Sequence, residues 1–585
     1  MTVSEYIFDF LQNKGVQNVY MVSGSSAMWL TDALKRNEKL KPYCCNHEQA
    51  AAMAADVYGR VNDTPGACLV TIGPGATNAV TGVAGAYVDS SPMFVISGQA
   101  NSRILDYQNK TGIRQKGTQS LSLGTMVSPI TKYFAEVMTP ESIGFHMEKA
   151  YYLAMNGRRG PVWIDVPIDI QNKQIPESMD EFIPEQNTNN NTAFDLSTAA
   201  EKLAAAKKPL IIAGGGVRTS GCTEILTELC EKFSIPVVTS RGGIDTIPSD
   251  SRYFIGRPGS YGDRPSHFAV AQCDFLLVLG SRLSVSTVGY YPGRFAENAY
   301  KVLVDIDSKE VDKEDVPVNE KYCCDIAAFL DNLEQKLIGK YDTDARNKWI
   351  DHLIHLKEKY PVVQPEYRVS KPINSYHFTE ALTELTPPET DIIVDTGSVC
   401  NIVSQTWKIK KGQRYIISGG FSCMGFWAGS EGACRKNRNV IALSGDGSVQ
   451  MNIQEFATLA YYKLPIKLFV YNNNGYMLIR HNQHNYMNDR FLGVGPDSGV
   501  QTPDFCKVAE AYGLKAVRIT NSAEFTDKIN EVLSYDDPVI CEVILEEFGT
   551  IAPKIASRVM PDGSLKAADF DDLFPFLEKD EDDIM

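Results

Sequence analysis

The chain has 585 residues, enough for three to four domains at roughly 150 residues each. Apolar residues make up 43% and charged residues 22%, an ordinary globular balance that excludes global disorder. With 57 Lys and Arg against 72 Asp and Glu the net charge is −15, which disfavours a nucleic-acid partner, and no apolar run approaches the roughly 18 residues of a membrane span.

The N-terminus, MTVSEYIFDFLQNKGV, is acidic and amphipathic, so no signal peptide and a cytoplasmic location are expected. Residues 41–45 read as a strand, and Glu48 then opens a helix rich in alanine. A strand at 67–72 runs into Gly73-Pro74-Gly75, and another covers 93–98. Residues 176–195 are polar and Asn-rich and read as a linker. Beyond it, 209–213 meets Gly214-Gly215-Gly216, 275–279 meets Gly280, and 301–304 meets Asp305-Ile306-Asp307. A second linker, 358–373, carries three prolines. Strand 391–395 leads to Thr396-Gly397-Ser398-Val399. The 13 cysteines are odd in number, scattered and without C-x-x-C, a pattern of reduced thiols rather than of zinc or disulfides.

Short apolar strands alternating with helical segments predict an α/β fold. It comprises three doubly wound parallel-sheet domains at 1–176, 196–345 and 370–548, with a C-terminal tail at 549–585. In such sheets ligands bind beyond the carboxyl ends of the strands. The tail is expected to wrap the surface and to end, at EKDEDDIM, solvated or disordered.

The third block carries the sharpest pattern. Gly445-Asp446-Gly447-Ser448 follows a strand at 440–443, and a helix is expected over 449–462 with Ile453, Phe456, Ala457 and Ala460 on its apolar face. The next strand, 466–470, ends in Tyr471-Asn472-Asn473, and Asn473 stands 27 residues after Asp446. Adjacent parallel strands bring the two side chains together. A carboxylate and an amide oxygen, completed by a diphosphate, form a half-cage for Mg²⁺, while free N–H groups at a helix start attract the phosphate.

Gly-Asp-Gly followed at this spacing by Asn-Asn resembles the signature of thiamine diphosphate (ThDP) enzymes. The stretches HEQAAAMAA, TIGPGATNAVTGVAGAYVDSSP, GDGSVQMNIQEFATLAYYKLPIK and MLIRHNQ are most similar to the acetolactate synthase-like (acetohydroxyacid synthase) group. The resemblance implies a pyrimidine-binding domain, a Rossmann-like middle domain and a diphosphate-binding domain, in that order. It implies that Asp446, Asn473 and the Gly475 carbonyl ligate Mg²⁺. Gly445, Gly447, Ser448 and the loop Gly397-Ser398-Val399 grip the diphosphate end of the cofactor. Gly24 and Ser25 bind the cofactor, Pro74 and Asn78 lie beside its pyrimidine, and Met424 lies under its bend. Glu48 becomes the catalytic partner of the aminopyrimidine, favouring the tautomer that activates the thiazolium carbon. Gln119 takes the place of the group's active-site glutamine.

Three departures from the group's pattern bear on the substrate. Leu283-Ser284-Val285-Ser286 stands where a Phe-Asp-Asp-Arg stretch would supply an acceptor-clamping arginine. Asn482 replaces an acceptor-discriminating tryptophan, and Trp427-Ala428-Gly429-Ser430-Glu431 replaces Leu-Pro-Ala-Ala. A serine does not substitute for a bidentate guanidinium. These changes suit a larger, less carboxylate-dependent acceptor, such as a nucleotide-linked keto-sugar.

The resemblance thus implies a carboligase that decarboxylates a 2-oxo acid, such as pyruvate, and transfers the acyl unit to a carbonyl acceptor. Homodimers or homotetramers with active sites between chains are implied as well. Simple decarboxylases, ThDP-dependent lyases and hydrolases share the constellation. A non-catalytic scaffold does not need Glu48 together with Asp446 and Asn473. Without G-x-G-x-x-G, bound FAD and an empty groove are both open for the middle domain. His481 reads either as a surface residue or as one that reaches the site.

Overall fold

The computed structural model describes residues 1–184, 194–337, 341–560 and 565–585. Residues 185–193, within the first expected linker, lie outside the described residues. Runs of β-branched and apolar residues punctuated by glycine build three six-stranded sheets, parallel throughout. The first comprises β1 (Asn18–Met21), β2 (Lys41–Cys44), β3 (Gly66–Val70), β4 (Met93–Gln99), β5 (Tyr133–Glu136) and β6 (Pro161–Pro167), in the order β2-β1-β3-β4-β6-β5. The second comprises β7 (Pro209–Ala213), β8 (Val237–Thr239), β9 (Phe254–Gly256), β10 (Phe275–Leu279), β11 (Tyr300–Asp305) and β12 (Glu320–Cys323), in the order β12-β11-β10-β7-β8-β9. The third comprises β13 (Thr390–Val394), β14 (Arg414–Ile417), β15 (Asn439–Gly445), β16 (Ile466–Asn472), β17 (Lys515–Ile519) and β18 (Val539–Ile544), in the order β14-β13-β15-β16-β18-β17.

Counted from their own first strands, the first and third sheets have the same order. Each reverses direction between its first and third strands, and the second sheet reverses between β7 and β10. A crevice opens where the order reverses. Every glycine-rich loop singled out above follows one of these strands: Gly24 and Gly73 after β1 and β3, Gly214 and Gly280 after β7 and β10, Gly397 and Asp446 after β13 and β15.

The helix Glu48–Val61 joins the first and third sheets. Eleven of its 14 residues are buried, so it has neighbours on nearly every side. A Cβ on Gly82 would stand 2.6 Å from Ala52 Cβ, one on Gly429 would stand 2.7 Å from Val57 Cγ2, and one on Gly432 would overlap the Ala54 carbonyl. The run of alanines therefore reflects close approach of neighbouring backbones, not helix propensity alone. Arg60, on the last turn, bonds Asp56 at 2.7 Å and the Ile417 carbonyl at 2.7 Å. Arg158 ties the first sheet's domain to Asp307 and Glu310 of the second, both at 2.9 Å.

The helix Thr343–Lys359 buries Trp349, Leu353 and Leu356 in the core of the second sheet. The tail crosses that domain and includes a small hairpin of β19 (Ser557–Val559) and β20 (Leu565–Ala567). His267 stacks on Phe570 with centroids 4.2 Å apart, and Arg264 donates to the Leu573 carbonyl at 3.1 Å. The expectation of a solvated or disordered acidic end is corrected at Asp583. That residue is fully buried, with Lys359 Nζ at 2.8 Å and the Tyr360 hydroxyl at 2.8 and 2.9 Å from its carboxylate. A carboxylate so supplied with donors gains more from docking than from water. Among the described residues, no helix is long and apolar enough to cross a membrane, and all 13 cysteines are free thiols.

Candidate functional site

The first half of the site lies where β1 and β3 diverge. Helix Pro74–Val88 starts after Gly73, whose φ is +60° and which brings no capping side chain. A Cβ on Gly73 would stand 2.5 Å from the Gln119 carbonyl, so only glycine lets Gln119 fold against this turn. Gln119 itself has φ +62° and an exposed side chain. Glu48 is the first residue of its helix, behind His47, whose ring nitrogen accepts from the Gln49 amide at 3.1 Å. Glu48 Oε2 accepts from Asn78 Nδ2 at 3.0 Å, and a Cβ on Gly75 would stand 3.4 Å from Glu48 Oε1. A Cβ on Gly24 would overlap Thr71, and one on Gly75 would stand 2.7 Å from the same side chain. Glu48, Asn78, Gln119, Gly24 and the Pro74 turn are thereby gathered, with Ser25 exposed at the start of the next turn.

The second half lies where β13 and β15 diverge. Strands β15 and β16 are adjacent and parallel, with Gly445 opposite Tyr471. Asp446 Oδ1 accepts from the Gly447 amide at 2.7 Å and Oδ2 from the Gly475 amide at 2.9 Å. Asp446 is 1% exposed and Asn473 4%. Burial pushes the Asp446 carboxyl up to about 6, against the pull of those two amides and of Arg480. Asn473 Oδ1 is buried with no hydrogen-bond partner. A buried carboxylate without an ion pair and an orphaned amide oxygen at the end of the adjacent strand are hard oxygen donors, and Mg²⁺ fits that set. A Cβ on Gly447 would overlap the Tyr476 ring, so no side chain is admitted there.

Three loops converge on this half. Gly397, at φ +80°, starts helix Ser398–Thr406 without a side-chain cap, leaving its first N–H groups available for an anion. A Cβ on Gly445 would stand 3.7 Å from Val399 Cγ2. Ser448 Oγ accepts from the Gly425 amide at 2.9 Å and so fixes the turn that carries Met424.

Asp395, which sequence reasoning did not single out, holds these loops together. Its carboxylate accepts from the Thr396 amide at 2.8 Å, Phe426 at 3.2 Å, Trp427 at 3.3 Å and the Ser444 hydroxyl at 2.8 Å. Its place at the end of a strand, ahead of Thr-Gly-Ser, was the available signal.

The helix expected over 449–462 is not continuous. A four-residue helix, Asp446–Val449, passes through a 3-10 segment, Gln450–Glu455, into helix Phe456–Tyr462. Asn452 breaks the path at φ −133°, because its side chain donates to the Gly425 carbonyl at 2.9 Å. Burying that carbonyl without a donor would cost more than a lost helical turn.

Among the described residues, no hydrogen bond joins Glu48, Asn78 or Gln119 to Asp446, Asn473 or Gly475. The two halves are linked through neighbours. The Asn46 amide donates to both Glu455 oxygens at 3.0 and 3.1 Å, and Gln49 Nε2 approaches Cys423 Sγ at 3.5 Å. Cys45 Sγ approaches Glu431 Oε2 at 3.4 Å, and Glu431 Oε1 is buried without a partner. Burial, with the neighbouring Glu455 charge, pushes the Glu431 carboxyl well up, and burial carries Glu455 to about 7.

A carboxyl raised in the folded state binds more protons there than when unfolded. It therefore lowers stability progressively as pH rises from the ordinary carboxylate range toward its folded pKa. Glu431→Gln is expected to stabilise the protein at pH 8 by about 1 kcal/mol or more, with the gain shrinking toward pH 5. Thermal melts across that range check it, and a pH-independent difference would refute the assignment.

Of the departures noted in the sequence, Trp427 to Glu431 are buried, while Ser284, Val285 and Asn482 are exposed. Ser284 Oγ and Ser286 Oγ lie 2.9 Å apart, and Leu283 to Ser286 contain no cation. Tyr290, a few residues on, is 79% exposed. A Cβ on Gly289 would stand 3.1 Å from Ile555 Cδ1, so the tail meets this loop. Asn482 is exposed. His481 is half-buried and stacked on Phe548 at 4.5 Å, which departs from a free surface residue, and burial lowers its pKa. A cavity of about 830 Å³ sits at the crevice between β7 and β10, bordered by Gly215, Gly242, Gly280 and Asp305. It reaches the first domain at Arg60 and the third at Arg414, and neither Glu48 nor Asp446 lines it.

Residues 1–123 match the thiamine pyrophosphate enzyme N-terminal TPP binding domain, 196–333 the central domain, and 395–543 the C-terminal TPP binding domain. The chain is 32% identical to the acetolactate synthase large subunit of Lactococcus lactis over 96% of this chain and 95% of that one. It is 31% identical to a probable acetolactate synthase large subunit of Methanocaldococcus jannaschii, over 93% and 92%. Against acetolactate synthase 2 of Zea mays, a chloroplastic protein, identity is 29% over 95% and 87%. With the thiamine pyrophosphate domains in the expected order and relatives matched along nearly the whole length, the chain belongs to the acetolactate synthase-like family of thiamine pyrophosphate enzymes.

Proposed function

We propose that this enzyme is a ThDP- and Mg²⁺-dependent carboligase that decarboxylates a 2-oxo acid, such as pyruvate, and transfers the acyl unit to a carbonyl acceptor. The observation that carries this reading is the placement of Glu48 and of Asp446 with Asn473 at corresponding crevices of two sheets with one strand order. When bound, the cofactor supplies the carbon nucleophile and the electron sink that decarboxylation requires.

The chain's own residues do the rest. Glu48 holds and releases a proton at the pyrimidine ring nitrogen, and its bond to Asn78 fixes the carboxyl for that exchange. Gly24, Ser25 and Pro74 border the ring, and Met424 supports the cofactor from below. Asp446, Asn473 and the Gly475 carbonyl hold Mg²⁺. Gly445, Gly447, Ser448 and the Gly397-Ser398-Val399 turn receive the diphosphate. Gln119, held on the Gly73 turn, orients the donor. Because Pro74, Asn78 and Gln119 of the first half are exposed, and among the described residues no hydrogen bond joins the two halves within one chain, we place the complete site between chains of a homodimer or homotetramer.

For the acceptor, the hydroxyl pair Ser284–Ser286 and the exposed Tyr290 offer hydrogen bonds and a stacking face where a guanidinium would select a small carboxylate. That favours a bulky, polyhydroxylated acceptor such as a nucleotide-linked keto-sugar. The 830 Å³ cavity is large enough for a dinucleotide, and we assign it to FAD in a non-redox role, which a visible absorption spectrum of the purified protein checks.

The deciding experiment supplies labelled pyruvate with and without nucleotide-linked keto-sugars. A labelled two-carbon adduct on the sugar, in preference to acetolactate, is the expected result. Acetolactate alone would assign the relatives' reaction, and acetaldehyde alone a simple decarboxylase.

A further inference from the structure

Arg480 lies in the first turn of helix Met477–Met487 and is 8% exposed. Among the described residues it forms no ion pair, a trait it shares with the buried Arg257, Arg264 and Arg346. Its guanidinium instead donates to four carbonyls drawn from three separate segments. These are Asn473 at 3.3 Å, Asn474 at 2.8 Å, Val494 at 3.1 Å, and Glu547. A planar fork with five N–H donors can serve such a set, whereas an ammonium group presents a single point.

The surroundings are built to admit this fork. A Cβ on Gly495 would stand 2.9 Å from Arg480 Nη2, and one on Gly475 would stand 3.0 Å from the same nitrogen and overlap the Val494 carbonyl. The loop being held is itself strained: Asn474 has φ +59° and Gly475 φ +134°. Such a loop keeps its shape only when partners on several sides fix it. On one side Asp446 takes the Gly475 amide, and on the other Arg480 takes the Asn473 and Asn474 carbonyls. With the backbone carbonyl of Asn473 turned to the guanidinium, its side-chain oxygen is the polar atom left beside Asp446 without a partner.

We propose that Arg480 is a positioning residue for the cation site, holding the 473–475 loop in the shape that presents Asn473 Oδ1 to the metal. The proposal rests on the assignment of Mg²⁺ to Asp446 and Asn473. It adds that metal affinity is set in part by a guanidinium that touches neither metal nor substrate.

The test titrates Mg²⁺ into metal-stripped full-length protein in the presence of ThDP, by calorimetry, for the parent, Arg480→Lys, Gly495→Ala and Asp446→Ala. Arg480→Lys keeps the charge and loses the fork. Gly495→Ala keeps the arginine and displaces it. Both are expected to weaken Mg²⁺ binding at least tenfold. In both, the Mg²⁺ concentration for half-maximal turnover rises, while kcat at saturating Mg²⁺ returns to within about twofold of the parent. A merely structural arginine would lower thermal stability without moving the Mg²⁺ titration.

Unchanged Mg²⁺ affinity in both variants, with affinity abolished in Asp446→Ala, would overturn the role of Arg480 and leave the metal site standing. Unchanged affinity in Asp446→Ala would overturn the metal assignment itself. Should Arg480→Lys not fold, Gly495→Ala decides.

Discussion

Glu48→Gln is expected to lower turnover of a 2-oxo acid by about 10²–10⁴-fold while leaving fold and cofactor affinity nearly intact. The glutamine carbonyl can still accept from Asn78 Nδ2, so the contact that orients the side chain survives. The helix start survives too, because its cap is His47 and not Glu48. What is lost is a group able to gain and lose a proton where the pyrimidine ring would sit. Steady-state kinetics at saturating ThDP and Mg²⁺, with cofactor affinity from tryptophan fluorescence, separates the two effects. A kcat within about threefold of the parent would remove Glu48 from the chemistry.

The second large effect belongs to Asp446. Asp446→Ala removes a carboxylate that is 1% exposed and leaves the Gly447 and Gly475 amides without their acceptor. Mg²⁺ binding is expected to weaken by more than about 100-fold, and Mg²⁺-dependent retention of ThDP with it. Asp446→Asn should separate function from stability. Its amide oxygen can accept from only one of the Gly447 and Gly475 amides, and relief of the buried charge offsets that lost bond, so cation binding falls while the metal-free protein melts within a few degrees of the parent at pH 8. Calorimetric Mg²⁺ titration and thermal melts of the stripped protein check both halves. A metal-free Asn variant that melts well below the parent would show that the carboxylate serves the fold rather than an ion.

Much of the architecture was legible because the loops that matter are marked twice. They follow short apolar runs, and they contain glycines for which no other residue substitutes, as at Gly73 beside Gln119 and Gly447 beside Tyr476. What was not legible depends on contacts between distant residues. Glu431 in the sequence is one of several substitutions in a variant stretch, and only the fold lays it against Cys45. Glu455 carries no signal in the sequence, and only the fold brings the Asn46 amide to it. Arg480 was not singled out either, and its hydrogen-bond partners, all backbone carbonyls, come from segments far apart in the chain. The break at Asn452 leaves the apolar periodicity undisturbed, so no pattern of side chains announces it. The end of the tail was misread because charge was taken as a sign of solvent, whereas Lys359 and Tyr360 wait for Asp583 across the chain.

The shared strand order of the first and third sheets has an ancestral meaning. Two units of 2-1-3-4-6-5 topology in one chain are what duplication of a single unit would leave behind. Before such a duplication, two identical copies would have had to recognise unlike ends of the same molecule with the same loop. Duplication freed each copy to specialise. Asp446 stands at the crevice beside β15 and Glu48 at the crevice beside β3, so the two units carry their carboxylates in different surroundings.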